Sequence, residues 1–152
     1  MTLKDWVFAG HSIGTPAADA GLAVLRIVAF LLLAFLHGLG KVPPQEGFVG
    51  MVGGLGFPAP MLFAWLAGIA EFGGALLLVI GLLSRPAALL LVVHFTLVIL
   101  IAHGGDSLGD RELPILFGTT ALMFLLTGPG RYSVDALIGG RRRTVSQDLG
   151  RS

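Results

Sequence analysis

Six side chains able to hold a charge or exchange a proton fall within or against the long apolar runs of this sequence: Arg26, His37, Lys41, Glu71, His94 and His103. Glu71 stands out, because it interrupts the run from Met61 to Leu83 near its middle. At about 1.5 Å of rise per helical residue it stands roughly 15 Å from either end, the depth at which a charge costs most in hydrocarbon. A carboxylate there has three uses. It can pair with a cation and fix helix register, be held protonated, or donate and accept in a ligand pocket. Ala64, Ala67, Gly68, Gly74 and Ala75 share its helix face. Such small residues let another backbone come close, so Glu71 is expected to face protein.

Arg26 and His94 lie at comparable depths in two other apolar runs, so an Arg26, Glu71, His94 cluster is expected as a buried site that handles protons or hydrogen-bonds a ligand. His37 follows Arg26 by eleven residues, which at about 100° per residue returns to nearly the same direction, and Lys41 follows His37 by one turn. These three make one stripe, with His37 and Lys41 toward the outer surface. Two runs end in His-Gly, at His37-Gly38 and His103-Gly104, with Asp106 and Glu112 nearby. His37, Lys41 and His103 are therefore expected to form an outer polar cup. No pair has the compact spacing of a helix-borne metal site, and no metal is expected. His94 and His103, nine residues apart, point to opposite faces and are not a pair. Tyr132 beside Arg131 reads as an interfacial anchor.

The elements that position these groups follow from composition. Of 152 residues, 55% are hydrophobic and 12% charged, and the mean hydropathy is +0.87. That surface could not enclose a water-soluble domain of this size, so the chain reads as an integral membrane protein of all-α class. Of its charged residues, only Arg26 and Glu71 fall inside the apolar runs. Cysteine is absent, which excludes disulfides, thiolate nucleophiles and Cys-held iron–sulfur or zinc sites within the chain. Its glycines lack the spacing and the following Lys-Ser/Thr of a phosphate loop. No nucleic-acid partner is expected.

Four transmembrane helices are expected, at about 21–38, 61–83, 87–103 and 113–127, forming one domain over 21–138. Residues 1–20, with Trp6 as a headgroup anchor, read as an interfacial segment rather than a cleaved signal, and 139–152 as a basic, disordered tail. The Gly- and Pro-punctuated stretch from Leu39 to Pro60 is still apolar and is expected to fold into the interface or cap the bundle. Ser84-Arg85-Pro86 is so short a turn that the helices it joins must be antiparallel neighbours. Ser133 reads as the cap of a short helix after the last span. Lys4, Arg85, Arg131, Arg141, Arg142, Arg143 and Arg151 share one side, which by the positive-inside rule places both termini in the cytoplasm of a bacterial-type inner membrane.

Several local patterns then coincide: Arg26 in the first span, His37-Gly38 with Lys41, Gly56-Phe-Pro-Ala-Pro60, Glu71-Phe-Gly-Gly74, Gly81 with Ser84-Arg85-Pro-Ala-Ala, and Gly128-Pro-Gly-Arg-Tyr-Ser-Val-Asp135. Together they resemble the DoxX family of small four-helix membrane proteins over about residues 20–138. Arg26, His37, Lys41, Glu71, Arg85 and Asp135 match family-like positions. The resemblance implies similarity to the small membrane subunit of thiosulfate:quinone oxidoreductase, and a link to membrane redox complexes or to responses to quinones and oxidants. It also extends to relatives that act as membrane chaperones or cargo factors.

Two functions fit these residues. One is a quinone-facing subunit of a membrane oxidoreductase, with no intrinsic cofactor and with electrons supplied by a partner. The other is a non-enzymatic assembly or accessory subunit, whose polar residues fix packing and whose small-residue faces dock on other membrane subunits or on copies of itself. Transport fits less well, since no inverted repeat with broken helices is visible.

Overall fold

A computed structural model of the chain describes residues 14–139. The expectations for Lys4, Trp6, the Arg-rich tail and Arg151 fall outside these residues.

The first helix starts earlier than hydropathy alone suggests. Thr15-Pro16-Ala-Ala-Asp19 is an N-terminal signal: the Thr15 hydroxyl accepts from the Ala18 amide at 3.2 Å, Pro16 occupies the first turn, and Asp19 sits where the helix dipole favours an acid. Helix α1 runs Pro16–Leu32, continues as a π turn over Leu33–Gly38 and closes with a 3-10 turn, Leu39–Lys41. The apolar linker contributes a short helix, α2, Glu46–Gly54. Helix α3 begins at Pro60, passes through a π segment over Ile69–Gly74 and ends at Ile80, where Gly81 takes φ +70° as a left-handed cap. Helix α4 spans Ser84–Leu97 and continues as a π turn over Val98–Ala102; α5 is Glu112–Thr127. A last turn, α6, covers 134–139. No strand occurs among the described residues.

Three of these helices are long and apolar enough to cross a membrane, Pro16–Lys41, Pro60–Ile80 and Ser84–Ala102, and α5 is a shorter apolar helix. The bundle is ordered α1, α3, α4, α5, and it closes on itself where Phe30 meets Phe124 and His37 meets Phe117, with ring centroids 5.8 and 5.6 Å apart. Its core is built from Phe30, Leu33, Leu78, Leu91, Ala121 and Phe124. Leu36, Leu100 and Leu126 on its outside are each about two-thirds exposed or more. Apolar side chains inside and outside are what a helix bundle in lipid requires, and this is a helical membrane protein.

Small residues set how closely α1 and α3 approach. A Cβ on Gly38 would lie 2.6 Å from the Phe72 amide nitrogen, and one on Gly68 would lie 2.7 Å from the Lys41 carbonyl oxygen. The small face around Glu71 is thus used inside the chain, with Ala64, Gly68, Gly74 and Ala75 all buried. Gly38→Ala should therefore lower the unfolding midpoint in detergent, at the about 1–3 kcal/mol typical of overpacking. Gly47→Ala, in α2 with nothing within 4 Å of its Cβ, should leave the midpoint unchanged or raise it. Equal effects of the two would contradict the close approach.

Candidate functional site

Glu71 is carried by the π segment of α3, and it is 3% exposed. Two cations or donors converge on it. The Lys41 ammonium donates to both carboxylate oxygens at 2.6 Å, and His94 Nε2 lies 2.7 Å from Oε1. Lys41 arrives from the end of α1, brought to the level of Glu71 by the Gly38 and Gly68 contacts. His94 arrives from the middle of α4. The three helices of the bundle that could cross a membrane thus each contribute one group. Lys41 Nζ also lies 5.4 Å from the Phe48 ring centroid, so α2 covers the ammonium through a cation–π contact. The Lys41 side chain is 28% exposed and that of His94 12%, so the acid is the most enclosed member.

The carboxylate cannot be an orphan charge, because a bidentate ammonium offsets it where it would otherwise face hydrocarbon. The same geometry makes the cluster a continuous hydrogen-bonded path from a largely buried lysine to an imidazole in mid-span. Two π segments meet here, Leu33–Gly38 and Ile69–Gly74, and π turns within helices are enriched at functional sites.

Arg26 does not join this cluster. It is 1% exposed, and its guanidinium donates to the carbonyls of Pro129 and, at 2.7 Å, Tyr132. It lies beside Gly81, whose Cβ would come 3.1 Å from Arg26 Cζ, and this is ten residues of helix from Glu71. The expected Arg26, Glu71, His94 cluster is corrected accordingly: His94 meets Glu71, and Arg26 pins the chain after α5 at the other end of the bundle. Asp135, fully buried, completes that second constellation. Its carboxylate accepts from the Leu83 and Ser84 amides at 2.9 Å each, capping α4, and its own amide donates to the Gly81 carbonyl. Ser133 accepts from the Ala136 amide at 3.2 Å and so starts the short α6.

Nor is the expected outer cup of His37, Lys41 and His103 assembled. The His37 ring packs edge-on against Phe117, Lys41 turns inward to Glu71, and His103 pairs with Asp106 at 2.8 Å in an exposed contact. The cause lies in α1. The stripe joining Arg26, His37 and Lys41 presumes uniform 3.6-residue turns, whereas the π turn and the 3-10 turn change the helical phase between Leu33 and Lys41. Among the described residues no three His, Asp or Glu side chains converge as a metal site would require. An open groove of about 470 Å³ lies on α5 and the loop before it, lined by Leu108, Gly109, Glu112, Ile115, Leu116 and Thr119; no member of the Lys41, Glu71, His94 cluster borders it.

The sequence comparisons align with this architecture. The DoxX family model matches residues 21–104, which includes Arg26, Lys41, Glu71 and His94. The chain is 30% identical to the inner membrane protein YphA and 32% identical to the inner membrane protein YqjF, both of Escherichia coli. The matches cover 78% and 79% of this chain and 91% and 93% of theirs. It is also 26% identical, over 79% of its length and 88% of the other's, to a Bacillus subtilis protein named "Putative oxidoreductase CatD". No solved structure matches.

Proposed function

The chain belongs to the DoxX family, and from that premise we propose that it is an inner-membrane subunit of a quinone-linked oxidoreductase assembly, both termini cytoplasmic, in which Lys41, Glu71 and His94 form the quinone- and proton-handling site. The observation that carries this is the buried Glu71 carboxylate bridging an ammonium and an imidazole within the spans. Intramembrane ionisable groups mark ligand or proton pathways by default. A quinone would supply two-electron chemistry coupled to protons. The chain's residues fit such a ring: His94 offers a hydrogen-bonding nitrogen, Glu71 holds that imidazole in place, and Leu90 and Leu97, one turn to either side, offer apolar contact. The electron carrier belongs to a partner subunit.

Glu71→Gln in lipid nanodiscs tests the reading. It keeps the side-chain volume but removes the charge that orders Lys41 and His94. Quinone affinity should fall about tenfold, equal to about 1.4 kcal/mol. An unchanged affinity, or no quinone binding by the unsubstituted protein and its co-purified partners, overturns the assignment.

A second reading, an accessory subunit without chemistry, is favoured by α2. Gly47, Gly50 and Gly54 there have nothing within 4 Å of where a Cβ would be, which leaves a small-residue face free for another membrane helix. Recovery from mild detergent as a stable monomer would count against it.

A further inference from the structure

Hydrogen-bond direction at His94 restricts which form of a ligand the cluster can take. A carboxylate only accepts, so the contact between His94 Nε2 and Glu71 Oε1 requires the proton on Nε2. Lys41 and Glu71 already cancel each other's charge, and a second proton on the ring would leave an uncompensated positive charge in mid-span. The other ring nitrogen, Nδ1, is then a lone-pair acceptor. The titratable groups close by are those of α1 and α3: Lys41 and Glu71 form the cluster, and His37 packs its ring against Phe117. From α5 the neighbour is the apolar Phe117, stacked 5.9 Å from Phe95.

His94 is not fully enclosed. The His94 side chain keeps 12% of its surface exposed, and on the same face of α4 Leu90 and Leu97 are 43% and 42% exposed. That face looks onto the hydrocarbon of the bilayer, where water is scarce and acyl chains have no donor to give. An acceptor at this depth calls for a lipid-soluble molecule with a hydroxyl.

We infer that His94 Nδ1 accepts a hydrogen bond from the hydroxyl of a lipid-soluble aromatic diol, so that the site binds the reduced, hydroquinone form in preference to the dicarbonyl form. This rests on the reading of the Lys41, Glu71, His94 cluster as a quinone site and specifies its selectivity. Lys41 fixes Glu71, Glu71 fixes the tautomer of His94, and the tautomer selects the ligand's redox state. His94 touches the ligand; Lys41 and Glu71 are positioning residues.

Two measurements on the full chain in nanodiscs test it. With a short-chain benzoquinol and its oxidised benzoquinone as probes, the reduced form should bind about tenfold more tightly, and His94→Gln should reduce that ratio to near one. Equal binding of both forms by the unsubstituted protein overturns the selectivity and leaves the quinone site standing; binding of neither removes both. Nitrogen-15 spectra of histidine-labelled protein, assigned by the signals missing from His94→Gln, read the tautomer without any ligand. A proton on Nε2 and a bare Nδ1 are expected, and a proton found on Nδ1 overturns the inference whatever the probes do.

Discussion

Replacing Glu71 with alanine is expected to destabilise the folded bundle by about 3–5 kcal/mol, the usual consequence of leaving one partner of a buried ion pair behind. Lys41 would keep its ammonium against the space left by a side chain that is 3% exposed, and His94 would lose the acceptor for its Nε2 proton. The more informative experiment adds Lys41→Leu to Glu71→Leu. Removing both charges takes away the pair together with its desolvation cost, so the double variant should recover most of the stability lost by Glu71→Leu alone. It should recover none of the quinone affinity, because nothing would then orient His94. A double-mutant cycle in the unfolding midpoint checks the first half and ligand titration the second. Additive losses would show that Lys41 and Glu71 act independently, contrary to the bidentate contact at 2.6 Å. If affinity returned with stability, the cluster would be a packing device alone.

Much of this arrangement is legible in the sequence, and the parts that are not share a cause. Hydropathy locates the spans, because lipid tolerates only long apolar helices. The depth of Glu71 and the small residues around it mark it as buried against protein, and His94 is at the right height to meet it. Hydropathy misses the start of α1, where Thr15-Pro16 and Asp19 carry a capping signal in a stretch with little apolar period. Lys41 is the instructive failure. Counted along a regular helix it belongs near the outer surface on the face of Arg26, yet π and 3-10 turns change the phase of α1, and Gly38 lets the two backbones touch so that Lys41 comes level with Gly68, one turn from Glu71. Arg26 fails for a different reason. Its partners are backbone carbonyls at Pro129 and Tyr132, more than a hundred residues away, and a carbonyl has no residue type by which it could be found. The nearest available signal is the Gly128-Pro-Gly-Arg-Tyr-Ser-Val-Asp135 motif, one of the patterns the chain shares with its family.

Asp135→Ala should be nearly as damaging as the loss of Glu71, and at the opposite end of the molecule. Asp135 is fully buried and holds the amides of Leu83 and Ser84, the first donors of α4, where Leu83 at φ 49° cannot cap the helix with its own apolar side chain. It also acts electrostatically on Arg26, so its removal takes a carboxylate's field from a buried guanidinium. A loss of about 3–5 kcal/mol is expected from the combination. Asp135→Asn keeps one acceptor oxygen for one amide but no charge, and should fall between alanine and the unsubstituted chain. The failure should be local before it is global, because Gly128, Pro129 and Gly130 are buried only as long as the segment after α5 folds back over Arg26 and Gly81. Arg131 is exposed beside them, so trypsin reads the opening directly. Cleavage at Arg131 should accelerate by tenfold or more in Asp135→Ala and less in Asp135→Asn, while Asp135→Asn retains its quinone affinity because Lys41, Glu71 and His94 lie elsewhere. If the two variants were cut equally fast, Asp135 would hold the segment by shape rather than by its oxygens. A parallel loss of quinone affinity in Asp135→Asn would mean that the two ends of the bundle are coupled.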